Sequence, residues 1–137
     1  MSTPTAVAST LTFATLDAGT NFTCGVATGG AGHCWGYGAV GNLGDGGPSS
    51  FGNTSVPTPT PVAGGHSFRA ISTGNQVACG VTTAGAGYCW GATPALLGAG
   101  PGSRETSTPV RVLDVAFQAI DVGYAHACGI ATDAAVW

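Results

Sequence analysis

The sequence repeats itself, and this repetition limits the possible folds more than any other feature. A segment that begins with Phe, has Leu or Ile at its fourth position and ends with Gly occurs at 13–19, 68–74 and 117–123. A Cys-Gly pair follows each segment at the same distance, at 24–25, 79–80 and 128–129. The first two units then reach a second Cys followed by Trp-Gly, at 34–36 and 89–91. Such a chain consists of similar small structures, each packing on the next.

The starting phenylalanines divide the chain into units. Counting from them gives an N-terminal extension, two full repeats and a partial third repeat, at residues 1–12, 13–67, 68–116 and 117–137. The two full repeats have 55 and 49 residues, close to the ~40–50 residues of a propeller blade. The chain therefore holds about two and a half units.

Within a unit, the residue pattern predicts short strands joined by tight turns. β-branched and aromatic residues flank a Gly-containing turn in both full repeats, which predicts hairpins over 22–37 and 77–92. The chain contains 24 Gly and 8 Pro, as many tight turns require, and no stretch shows helical periodicity. Because a lone hairpin is unstable in water, the predicted fold class is all-β, with the units stacked as β-propeller blades in an incomplete ring.

Four of the five cysteines are spaced to pair within these hairpins. Cys24 and Cys34 are equidistant from the apex of the first hairpin, and Cys79 and Cys89 from that of the second. Residues placed in this way face each other across two strands at a separation that suits a disulfide. The spacing predicts the bonds Cys24–Cys34 and Cys79–Cys89. The alternative is that these cysteines are reduced and fill the interior of the blades.

The fifth cysteine bears on the context of the chain. Cys128 has no partner, because the equivalent position falls just past Trp137, so we expect the chain to be a fragment of a longer protein. Disulfides persist in oxidising compartments, which predicts an extracellular or cell-surface location. Residues 1–12 do not resemble a signal peptide, and no stretch approaches the ~20 apolar residues of a membrane span.

Two tryptophans are candidates for packing between units. Trp35 and Trp90 follow the second cysteine of each full repeat, and we interpret them as residues that pack one blade on the next.

The charge of the chain bears on its possible partners. The net charge is −3 with only three Lys and Arg residues, and these stand apart along the chain. Nucleic-acid binding needs clustered basic residues, so we expect no nucleic-acid partner.

The motifs together resemble a known family. The run Cys-Gly-Val-Thr-Thr-Ala-Gly-Ala-Gly-Tyr-Cys-Trp-Gly at 79–91 resembles a regulator of chromosome condensation repeat, most closely its bacterial, cysteine-containing form. The run Gly-Asn-Leu-Gly-Asp-Gly at 41–46 is similar to the Gly-Gln-Leu-Gly-Asp-Gly segment of that family, whereas residues 95–100 keep only Leu-Gly-x-Gly. The resemblance covers residues 13–137.

This resemblance implies a seven-bladed β-propeller of four-stranded blades, of which the chain supplies only part. A ring that does not close leaves open strand edges, so the chain is a fragment, assembles with further copies or forms an open stack. The best-known members are nuclear exchange factors for a small GTPase, and another relative is a secreted inhibitor of β-lactamases that binds through its loops. Fold alone does not fix which function applies here.

Several polar residues could carry chemistry, and each has a simpler interpretation. Asp45 could belong to a cation loop but lacks enough oxygen ligands, so a turn is favoured. His33 beside Cys34 lacks the paired spacing of a zinc site, and no metal or cofactor is expected. His66 and His126 lack an identifiable catalytic partner. The remaining candidates, Asp17 and Asp121, occupy equivalent positions in their repeats, and we interpret them as turn residues.

The sequence therefore predicts a non-enzymatic module of an extracellular repeat protein that binds proteins through its loops or serves as a scaffold. The partner is not identified, and self-assembly is a further possibility. One alternative is a purely structural segment of a large surface adhesin or oligomeric assembly. A weaker alternative is a glycan-binding propeller that would use loop aromatics such as Tyr37 and Phe51.

Overall fold

The chain folds into antiparallel sheets, and the all-β prediction is confirmed. The computed structural model describes residues 3–47, 55–92 and 105–137. The strands are β1 Phe13–Ala18, β2 Phe22–Ala27, β3 Gly32–Tyr37, β4 Ser55–Pro61, β5 Phe68–Thr73, β6 Val77–Thr82, β7 Ala86–Gly91, β8 Thr106–Val122 and β9 Ala127–Ala131. No helix within the described ranges is long and apolar enough to cross a membrane.

The strands form three consecutive units, which we call blades 1, 2 and 3. Blade 1 has the strand order β1-β2-β3-β4, and blade 2 has the order β5-β6-β7-β8. Blade 3 begins with the second half of β8, which pairs with β9. Each strand follows its neighbour in sequence, so every connection within a blade joins adjacent antiparallel strands.

The central hairpin of each full blade has the same register. Cys24 lies opposite Cys34 in blade 1, and Cys79 lies opposite Cys89 in blade 2. In blade 1 the turn closes with a 2.8 Å hydrogen bond from the Gly30 N–H to the Ala27 carbonyl. Gly30 has a φ of 94°, a conformation that glycine adopts without steric cost.

One strand belongs to two blades. The first half of β8 is the outer strand of blade 2, where Val110 lies opposite Cys89. The second half is the inner strand of blade 3, where Ile120 lies opposite Gly129. Between the halves Leu113 has a φ of 47°, which is unfavourable for a branched side chain. The corresponding connection between blades 1 and 2 contains Gly64, which reaches a φ of 94°.

The core lies between the blades. In each blade we call the face that carries the first Phe the leading face, and the face that carries the cysteines the trailing face. Phe68 and Ile71 on the leading face of blade 2 pack against Gly32 on the trailing face of blade 1. Phe117 and Ile120 of blade 3 pack in the same way against Gly87 of blade 2. Since a single sheet cannot bury its own faces, this stacking supplies most of the apolar burial.

Candidate functional site

The four paired cysteines lie within the interfaces between blades. Cys24 and Cys34 are joined by a disulfide with a Cα–Cα distance of 4.1 Å, and Cys79 and Cys89 are joined with the same separation. All four are buried: the first pair contributes to the core between blades 1 and 2, and the second to that between blades 2 and 3. Cys128 is the equivalent of the first cysteine in blade 3, and it is a free, exposed thiol.

Trp90 joins blade 2 to a loop of blade 1. Its indole is fully buried, and its Nε1–H donates a 3.1 Å hydrogen bond to the Asn42 carbonyl. A Cβ atom on Gly44 would lie 2.6 Å from the same indole nitrogen, so only glycine allows the loop to approach this closely. The run at 41–46 is therefore a clamp over the tryptophan of the next blade.

Hydrogen bonds within the clamp loop, and one to blade 2, fix its conformation. The Asn42 side-chain amide donates a 2.8 Å hydrogen bond to the Tyr37 carbonyl, and the Gly46 N–H donates one of the same length to Ser107 in blade 2. Asp45 accepts a 3.0 Å hydrogen bond from the Gly47 N–H, which is the local turn geometry of such residues. The related run at 95–100 lies outside the described residues.

Trp35 occupies the equivalent position in blade 1, with a different environment. It lies on the leading face, is half-buried, and packs against Phe13 of the same blade at a ring-centroid distance of 5.4 Å. Trp90 thus contacts blade 1, and Trp35 contacts Phe13 of its own blade. That both tryptophans pack one blade on the next stays a prediction.

A polar contact recurs between the inner strands of neighbouring blades. Asp17 accepts hydrogen bonds from the N–H and the hydroxyl of Thr73, at 2.6 and 2.8 Å. Ser72 is the blade 2 equivalent of Asp17, and its hydroxyl oxygen accepts a 3.1 Å hydrogen bond from the Val122 N–H of blade 3. Asp121 accepts a bond from the Ser72 hydroxyl at 3.0 Å. The interpretation of Asp17 and Asp121 as turn residues is wrong, because both lie within strands and bind the neighbouring blade.

The turns after the first strand of each blade meet in a shallow groove of about 340 Å³. The groove is lined by Ala18, Gly19, Thr20, Thr73, Gly74, Asn75, Val122, Gly123 and Tyr124. Its floor is tied together by backbone hydrogen bonds, from Thr20 to the Gly74 carbonyl and from Asn75 to the Tyr124 carbonyl. A Cβ atom on Gly74 would collide with the Gly123 carbonyl. The turn of the next blade therefore comes so close that only glycine fits at this repeated position.

The groove presents different side chains on equivalent positions. Thr20, Asn75 and Tyr124 each follow the repeated glycine of their blade. Thr20 is exposed, Asn75 is half-buried and Tyr124 is 71% exposed. A constant backbone with variable exposed residues is typical of surfaces that bind partners. The sequence repeat contained this signal, but only the structure shows that the three turns lie side by side.

The remaining candidates lie apart from one another. His66 stacks on Tyr88 at 4.1 Å between ring centroids, and His33 is buried beside Phe13. His126 is exposed in blade 3. Within the described ranges, no group of three or more His, Cys, Asp or Glu side chains could hold a metal ion. Of the aromatic residues suggested for glycan binding, Tyr37 is half-buried, and Phe51 lies outside the described residues.

The N-terminal segment is similar in sequence to part of strand β4. Thr-Pro-Thr-Ala-Val-Ala at 3–8 matches Thr-Pro-Thr-Pro-Val-Ala at 58–63 at every position but one. Both runs end five residues before the first Phe of a unit. Residues 58–61 belong to the outer strand β4, whereas residues 3–8 are exposed and form no strand. The segment therefore has the sequence of an outer strand but does not form one in this structure.

The comparisons with known proteins identify the class of fold. No family model and no curated protein sequence matches the chain. Among solved structures, human WBSCR16 superposes with a TM-score of 0.76 at 17% identity, over 90% of this chain and 32% of its own. Prp20p of Saccharomyces cerevisiae gives 0.77 at 17% identity, over 90% and 32%. The ectodomain of the Physcomitrella patens receptor kinase CR4 gives 0.53 at 24% identity, over 91% and 29%.

These likenesses show that the chain has the fold of RCC1-type β-propeller repeats, since Prp20 is the yeast RCC1. The fold expected from the sequence resemblance, a partial propeller, is confirmed. The chain spans about a third of the length of the solved structures it matches. The narrower resemblance to the bacterial, cysteine-containing form stays a prediction.

Proposed function

We propose that this chain is a non-enzymatic, protein-binding part of an extracellular propeller, and that it contacts its partner through the groove formed by the three turns. The observation that carries the proposal is the row Thr20, Asn75 and Tyr124, held side by side on a backbone fixed from blade to blade. Loops positioned by a rigid scaffold are the usual place for binding residues.

The composition of the groove favours a protein over a small molecule. It is shallow and formed by surface turns, whereas small ligands favour deeper, largely enclosed apolar clefts. Tyr124 supplies a large exposed aromatic side chain, and tyrosine is enriched where protein interfaces gain most of their binding energy. Yeast RCC1 (Prp20) is known in a complex with Kap60, and Prp20p has binding properties toward Gsp1p and histones. These partners support protein binding as the class of function.

The disulfides support the extracellular context. Two cross-strand disulfides lie in the interfaces between blades, and such bonds persist mainly in oxidising compartments. The CR4 structure, which has a related fold, is a receptor ectodomain. The chain has only three Lys and Arg residues, and they stand apart along the sequence. Because nucleic-acid binding needs clustered basic residues, no nucleic-acid partner is proposed.

Site-specific photo-crosslinking tests the groove. A photoreactive phenylalanine analogue at Tyr124 replaces one aromatic side chain with another, and the same analogue at Arg111 on the outer part of β8 serves as the control. Illumination in an extract of surface proteins from the source organism should join a specific protein to position 124 and not to position 111. Equal crosslinking from both positions, or none from either, would contradict the proposal.

A glycan-binding assay distinguishes protein recognition from carbohydrate recognition by the groove. Wild-type protein and Tyr124→Ala should both fail to bind immobilised glycans if the groove recognises protein. Glycan binding by the wild type that disappears in Tyr124→Ala would replace protein binding with carbohydrate recognition as the function of the groove.

A further inference from the structure

The side chains of the groove formed by the three turns are all uncharged. None of the described residues that line it is Asp, Glu, Lys, Arg or His. Asp17 and Asp121 each precede a lining residue in the sequence, but both carboxylates are already bound to blade 2, Asp17 to Thr73 and Asp121 to Ser72. A ligand in the groove is therefore recognised by neutral hydrogen-bonding groups and by apolar contact.

Asn75 lies in the middle of the row and has an unused side-chain amide. Its backbone N–H donates a 3.4 Å hydrogen bond to the Tyr124 carbonyl, and the residue is half-buried. The residues that the structure describes offer its side-chain amide no hydrogen bond, and the amide atoms are not sealed from solvent. Because such an amide has lost part of its hydration, a ligand that binds it gains more than it would from a fully exposed side chain.

The amide of Asn75 matches one kind of group in a protein partner. A carboxamide presents two donor hydrogens and an acceptor oxygen side by side. The main-chain peptide unit likewise offers one N–H donor and one C=O acceptor. A carboxylate only accepts and an ammonium group only donates, and either would lose hydration in the groove without an opposite charge to replace it. The chemistry of the groove therefore favours an uncharged main-chain segment.

The neighbours of Asn75 in the row extend this kind of contact. Thr20 is exposed and adds a neutral hydroxyl, and Tyr124, which is 71% exposed, adds a hydroxyl and an aromatic face. The Thr20 N–H donates a 3.2 Å hydrogen bond to the Gly74 carbonyl, so the turns of blades 1 and 2 are joined as those of blades 2 and 3 are. A polypeptide that crosses the row meets all three side chains in succession.

We propose that the groove binds a neutral stretch of polypeptide in its protein partner, whose main-chain N–H and C=O groups bind the side-chain amide of Asn75 and which places an apolar side chain on Tyr124. The inference rests on the proposed function, because it specifies the part of a protein that the groove recognises. Binding is then nearly independent of ionic strength, since salt screens interactions between charges.

Peptide selection tests this specificity. A display library of short random peptides is selected on immobilised wild-type protein, and the binders are measured by fluorescence anisotropy. They should be depleted in Asp, Glu, Lys and Arg relative to the library, and their affinity should change less than about twofold between about 0.05 and 0.5 M sodium chloride. Asn75→Ala should weaken binding about tenfold, whereas the control Arg111→Ala, on the outer part of β8, should leave it unchanged.

N-methylation of single amides in a selected peptide separates main-chain from side-chain recognition. The methyl group removes one N–H donor, and any effect on the shape of the peptide is the same for both proteins. At one position it should weaken binding to the wild type about tenfold and binding to Asn75→Ala less than about twofold, because the acceptor is already missing there. Equal losses in both proteins would overturn the proposal, and so would peptides whose affinity depends on charged residues.

Photo-crosslinking at position 124 distinguishes the failure of this inference from that of the proposed function. If a protein is joined to position 124 but no selected peptide depends on Asn75, main-chain recognition is overturned while protein binding by the groove stands. If no protein is joined to position 124, protein binding itself is contradicted, and the inference fails with it.

Discussion

Trp90 and Trp35 occupy the same position in two neighbouring units, yet the structure gives them different environments. Trp90 is fully buried under the clamp loop of blade 1, and its indole nitrogen donates to the Asn42 carbonyl. Trp35 is partly buried and lies on the leading face of blade 1 beside Phe13. The contribution of a repeat residue to stability therefore depends on whether a neighbouring blade covers it, and the residue type alone does not determine it.

Removing the two tryptophans in turn compares a covered position with a partly buried one and should give the largest single loss of stability. Trp90→Ala deletes a fully buried aromatic residue and should lower the free energy of unfolding by about 3–5 kcal/mol. Trp35→Ala should cost less, about 2 kcal/mol, because its side chain is only partly buried. Urea denaturation followed by circular dichroism measures both, and equal losses would show that Trp90 gains nothing from the clamp.

Replacing the buried, paired cysteines should lower stability more than replacing the exposed, free cysteine. The double substitution Cys79→Ala with Cys89→Ala removes a buried cross-strand disulfide and should lower stability by about 2–4 kcal/mol. Cys128→Ala changes the equivalent residue of blade 3, which is free and exposed, and should alter stability by less than about 0.5 kcal/mol. In untreated protein, a thiol reagent followed by mass analysis should label Cys128 alone. Labelling of all five cysteines without reduction would contradict the paired assignment.

The polar contact between inner strands should show the smallest difference. Asp17→Ala leaves the Thr73 N–H and hydroxyl without their acceptor and should cost about 1–2 kcal/mol. Asp121→Ala loses one exposed hydrogen bond and should cost about 0.5 kcal/mol or less. Thermal unfolding of the two variants against the parent protein measures the effect. Equal losses of stability in the two variants would show that the partly buried contact of Asp17 is worth no more than the exposed contact of Asp121.

The features that repeat within a unit could be predicted from the sequence, and those that join units mostly could not. The spacing of Cys and Gly indicated the hairpins and their register, because these depend on local turn geometry. The roles of Asn42 and Asp17 depend on how closely two blades approach, and a single unit contains no information about that distance. The resemblance between residues 3–8 and 58–63 was present in the sequence, but only β4 shows that it denotes an outer strand.

The bend at Leu113 shows a different limit of sequence-based reasoning. The connection between blades 1 and 2 has Gly64 in the left-handed region, whereas β8 passes from blade 2 to blade 3 with a leucine there. Nothing in the residues around Leu113 indicates this conformation. Val112 and Phe117, on either side of this bend, are both fully buried.

The strand that blades 2 and 3 share affects the order in which the blades unfold. Since β8 contributes an outer strand to blade 2 and an inner strand to blade 3, neither sheet can separate without disturbing the other. Blades 2 and 3 should therefore exchange their amide hydrogens as one cooperative unit. Blade 1 joins them through the glycine-containing link and can loosen first, so the chain should lose its order progressively from one side, with blade 1 giving way before blades 2 and 3.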